Sequence, residues 1–122
     1  MDIQEFEKIA QEELESLPAH FLERMENVHV VVEYLPSEDL LRIVGGAPRH
    51  TLLGLYQGIP MTHRDTGYGA YPVVPDTITL FQHNIESVVT KGRVREKIRE
   101  VLIHEIAHYF GMNEQEIRLA GF

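Results

Sequence analysis

His104 and His108 stand four residues apart, with Glu105 directly after the first. On an α-helix, positions four apart differ by about 40° and one turn, so both imidazoles can be offered to one ion. Glu105 lies roughly 80° round from the midline of that pair. This is far for a third ligand, yet near enough to reach a water on the ion. Zinc with three protein ligands keeps its fourth position for water and lowers that water's pKa toward neutrality. A flanking carboxylate can then take the proton and hand it to a leaving amine. This is the HExxH logic of zinc peptidases.

With seven histidines and fifteen glutamates in the chain, HExxH alone would arise in roughly one shuffled sequence in twenty. Requiring Gly111 and an acid at 114 as well lowers this to on the order of one in two thousand. The longer pattern is therefore the informative one, and it names a third ligand. Glu114 would point away from the histidines if the helix continued. A left-handed Gly111 would end the helix and turn the chain, so that Glu114 comes back under the ion. A competing reading of the same residues makes Asn113 the cap of a short last helix, with Glu116 completing a capping box. Glu114 would then only favour the helix N-terminus electrostatically. Other acids that could supply the ligand are Glu116, Asp76 and Asp65.

The element that must carry these groups runs from about Arg93 to Phe110. Its start, RVREKIRE, is amphipathic, with Val94 and Ile98 facing inward. From Val101 onward, VLIHEIAHYF is apolar on every side, the pattern of a buried helix. Apart from the Tyr109 hydroxyl, its only ionisable groups are His104, Glu105 and His108. Such groups need partners or a metal. Residues 2–16 predict an amphipathic helix with Ile3, Phe6, Ile9 or Ala10, and Leu14 or Leu17 on one stripe, capped by Asp2 and ended by Pro18. VHVVVEYL (28–35) predicts a buried strand. A short helix opened by Ser37 follows, broken at Gly45-Gly46. Residues 51–60 and 76–82 predict two more strands, with a surface loop at 63–75 between them.

The 122 residues predict a single domain over 1–122. Without cysteine, thiolate sites and cysteine nucleophiles are excluded, and a metal must rest on imidazole, carboxylate and water. A net charge of −8 argues against nucleic acid as a partner. No stretch approaches the roughly 20 apolar residues of a membrane span, and the acidic N-terminus lacks the apolar run of a signal peptide. A cytoplasmic protein is the expectation.

The segments LLGLYQGIP (52–60), PDTITLFQ (75–82) and VLIHEIAHYFGMNEQEI (101–117), in this order and spacing, resemble the small bacterial zincin-like metallopeptidases. The resemblance implies an α+β fold, in which a small twisted mixed sheet packs on the HExxH helix beside an N-terminal helix. It implies one zinc ion per chain held by His104, His108 and Glu114, with Glu105 as general base and acid. The substrate would be a peptide or protein. By the same analogy the strand Thr77 to Gln82 borders the cleft and pairs with an extended peptide. The pattern also resembles that of metzincins, with Glu114 where those carry a third histidine. Only eight residues follow Glu114, so the methionine turn and lower subdomain of larger zincins have no counterpart. That motivates a second reading, a non-catalytic metal-binding protein of the same fold that binds a partner. His20, His29, His50, His63 and His83 follow no ligand spacing. Tyr56, Tyr68, Tyr71 and Tyr109 are candidates to steady an oxyanion.

Overall fold

Asp2 opens the first helix by accepting the Glu5 N–H at 2.8 Å, a side-chain cap that satisfies one of the helix's orphan donors. The computed structural model describes residues 1–19, 22, 28–46, 48–58 and 76–119, the side chains of 114, 117 and 118 excepted. Within them the chain forms α1 (Ile3–Glu15), β1 (Val28–Glu33), α2 (Glu38–Ile43), β2 (Gly54–Gln57) and β3 (Asp76–Phe81). It continues with α3 (Gln82–Val88), α4 (Val94–Tyr109) and α5 (Glu114–Leu119). Ser37 caps α2 as its sequence predicts, accepting the Leu40 N–H. The expected loop at 63–75 lies outside the described residues, with His63, Asp65, Tyr68 and Tyr71; so does His20.

The three strands form one mixed sheet in the order β1-β3-β2, with β1 parallel and β2 antiparallel to β3. Val30 and Tyr56 both face Ile78 across the ladders, so Val28, Val30, Val32, Ile78, Leu80 and Tyr56 share one sheet face. α1 and α4 cover that face. Phe6 and Ala10 of α1 meet Ile98, Leu102 and Ile106 of α4 in one core with Ile78 and Leu80. Arg95 ties the two helices at their rims, donating to Glu12 and Glu13 at 2.9 Å each.

Two sequence expectations change here. β1 is not buried on both faces: its residues alternate between half-buried and exposed, because it is an outer strand with one face open to solvent. The strand at 77–82 offers no free edge to an extended peptide among the described residues. β3 is the central strand, and its backbone is already paired on both sides, so among the described residues the sheet's edges are β1 and β2. The helix α3 follows β3 without a loop, a feature that QHNIESV does not announce because no side chain caps it. Its buried Asn84 donates to the carbonyls of Arg49 (2.9 Å) and Leu52 (2.7 Å). That anchors the segment leading into β2. No helix among the described residues is long and apolar enough to cross a membrane.

Candidate metal centre

α4 buries Val94, Ile98, Leu102 and Ile106, and this stripe fixes which face is left for chemistry. His104 and His108 remain half-buried on the other side, their ring centroids 5.1 Å apart. Glu105 is more deeply placed, only 7% exposed. One ligand atom from each of the three lies within 4.8 Å of the others. Two imidazoles and a carboxylate, with no thiolate, make a donor set that fits zinc or a similar divalent ion. These three residues could hold a metal ion.

The edge strand β2 lies directly over this face, and a glycine makes the approach possible. A Cβ at Gly54 would stand 2.6 Å from Val101 Cγ1 and 3.5 Å from Glu105 Cγ, so any side chain there would push the strand off the helix. Below the strand edge the surface opens into two adjoining hollows. One, of about 370 Å³, is bounded by Leu53, Leu55, Lys97, His104, Glu105 and His108. The other, of about 340 Å³, is bounded by Leu55, Tyr56, Glu105, His108 and Asn113. Leu55, Glu105 and His108 belong to both, so the two hollows of this groove adjoin along β2 at Glu105 and His108, with His104 on the side of the first.

Tyr56 reaches this groove as well. Its hydroxyl donates to Asp76 Oδ2 at 2.9 Å, and its ring stands edge-on to Tyr109. Asp76, one of the acids considered as a third ligand, is buried against Tyr56 and is not in the metal-capable trio. Tyr109, 1% exposed, is a core residue. His83 packs against Tyr34 and His50 against His83, neither lining the two hollows, and His29 lies on the open face of β1.

The turn after α4 takes the form that Gly111 promises. Gly111 adopts φ 83°; its N–H bonds the His108 carbonyl at 2.9 Å, and Met112 N–H bonds the Ala107 carbonyl at 3.0 Å. This pair of bonds is a Schellman motif. The chain then doubles back so that Gly111, Met112 and Asn113 line the groove beside His108. Asn113 and Glu116 form a reciprocal capping box, at 2.9 and 3.2 Å, which engages Glu116. Glu114 is the first residue of α5, next to the groove-lining Asn113; its side chain lies outside the described residues.

The sequence model of the zincin-like metallopeptidases matches residues 25–121. The chain belongs to this family. No curated protein matches it. Among solved structures it is similar to a conserved hypothetical protein from Thermus thermophilus, with 20% identity over 98% of each chain and a TM-score of 0.56. That likeness concerns the fold alone. The HExxH residues were legible because one helix carries them. Gly54 and Asn84 were missed, although a glycine heading an apolar strand is a signal of close backbone approach.

Proposed function

We propose that this zincin-like protein is a zinc-dependent peptidase. The observation that carries the reading is the trio His104, Glu105 and His108 opening into a groove walled by the edge strand β2. Among the described residues no strand pairs with the outer edge of β2. An extended peptide can therefore add there as a further strand, with main-chain hydrogen bonds setting its register. Leu53 and Leu55 offer it apolar contacts along the groove.

His104 and His108 hold the ion, and Glu114 completes the set from the turn that Gly111 makes. Zinc bound there supplies Lewis acidity to the scissile carbonyl and makes a water acidic at neutral pH. Glu105, at the middle of the groove, accepts the proton from the attacking water and delivers it to the departing amine. Its burial excludes competing solvent from that transfer.

The test is hydrolysis of a mixed peptide library by zinc-loaded protein beside Glu105→Gln, with zinc content measured on both. The expected outcome is a loss of about 10²-fold or more in rate with zinc retained. Equal turnover would end the proposal. Loss of zinc from Glu105→Gln would move Glu105 from base to ligand. Glu114→Gln is expected to weaken zinc binding without unfolding α5, since Asn113 and Glu116 cap that helix.

A further inference from the structure

We propose that the chain forms a two-fold symmetric dimer in which β1 pairs antiparallel with β1 of a second copy, centred on Val31. Among the described residues no strand pairs with the outer edge of β1. A groove of about 530 Å³ runs along that edge, lined by Val30, Val31, Val32 and the α1 side chains Glu7, Lys8 and Gln11. Outer strands are ordinarily guarded by proline, lysine or a bulge. VHVVVE contains neither residue, and its ladder to β3 runs unbroken from Val28↔Asp76 to Glu33↔Phe81. Val31 is 40% exposed on the open sheet face, between exposed His29 and Glu33.

The residues on that face select the occupant. A two-fold axis normal to the sheet keeps each side chain on its own face, so allowed registers step by two residues. Centring on Val31 sets His29 of each copy opposite Glu33 of the other, twice, with Val31 against itself between them. Val30 then meets Val32 on the core side. Centring on Val30 or Val32 would instead set His29 or Glu33 against Val31. A single register thus pairs the polar groups and aligns the valines, and it is self-complementary, as an isologous interface requires. An imidazole offers an N–H that a carboxylate can accept. The product is a continuous six-stranded sheet. Both candidate metal centres remain open, because β2 is the opposite edge.

Sedimentation equilibrium of the full chain, over a concentration series up to about millimolar, reads the outcome. The expected mass rises from 14.0 kDa to twice that value. Val31→Lys sets two ammonium groups together on the axis and is expected to leave a folded monomer, its fold checked by circular dichroism. His29→Glu opposes like charges at two positions and is expected to weaken association by about tenfold. The exchange His29→Glu with Glu33→His restores the complementary pairs and the dimer. A wild-type chain that stays at 14.0 kDa throughout overturns the proposal. So does a dimer indifferent to Val31→Lys, which would be built through another face, or an exchange variant no better than His29→Glu.

Discussion

Gly54 sets the distance between the groove's wall and its floor. A methyl group at this position overlaps Val101 Cγ1 at 2.6 Å and crowds the Thr79 carbonyl at 3.3 Å. Gly54→Ala must therefore displace β2, at a cost of roughly 1–3 kcal/mol typical of overpacking. The expected result in a thermal melt is a lowered Tm that the second change Val101→Ala largely restores. Zinc affinity should change little, since His104 and His108 stand on α4, whereas peptide turnover should fall with the displaced strand. Asn84 acts at one remove. Asn84→Ala leaves the carbonyls of Arg49 and Leu52 without the amide that holds them, and a loss of about 2–3 kcal/mol by denaturant unfolding is expected. Neither residue could be read from the sequence, for the same physical reason. Their roles depend on distances between segments 30 to 50 positions apart (Asn84 to Leu52, Gly54 to Val101), and no local pattern encodes those. His104, Glu105 and His108 were legible because helical geometry fixes their relation without any tertiary information.

Elements show the same division. The caps at Asp2 and Ser37, the left-handed Gly111 and the Asn113–Glu116 box all formed where their side chains predict, since each is complete within four residues. Strand order was not legible. DTITLF reads as one more strand, and only pairing with chain on both sides makes it central. That is why the open edge beside the groove is β2 and not β3. The join between α1 and α4 carries a pH signature. The Arg95 guanidinium beside Glu12 holds that carboxyl below its ordinary value of 4.5, chiefly through their hydrogen bond, with its charge helping against an opposing desolvation smaller than that bond's effect. A carboxyl lowered by folding stabilises the native state above its unfolded pKa and ceases to do so as pH falls through its folded one. The difference in Tm between wild type and Arg95→Ala should thus be present at neutral pH. It should shrink as pH drops below about 4.5, and it should be small in high salt, because Glu12 and Arg95 are solvent-exposed.

At the scale of the molecule, the two sheet edges divide the labour: β2 faces the groove, while β1 is left for association. The core beneath them is built by α1, α4 and the sheet and does not need an ion to close it. His104 and His108 are only half-buried, outside the cluster that includes Leu102 and Ile106. Metal should therefore add stability by linkage alone, without being required for folding. With free zinc at about 100 times the dissociation constant, linkage contributes about 2.7 kcal/mol, equivalent to roughly 10 °C in a domain of this size. Removing the ion with a chelator is expected to lower Tm by that order while circular dichroism at room temperature stays unchanged. His108→Ala should melt near the chelated value and show no further response to chelator. Collapse of the fold on chelation would instead mark a structural metal, of the kind that closes a core. Coupled with peptides that remain uncut, that collapse would end the peptidase reading and leave a metal-stabilised binding protein. A modest shift with peptides cut only in the loaded state would place the ion where the geometry of α4 and β2 puts it, at the floor of a working groove.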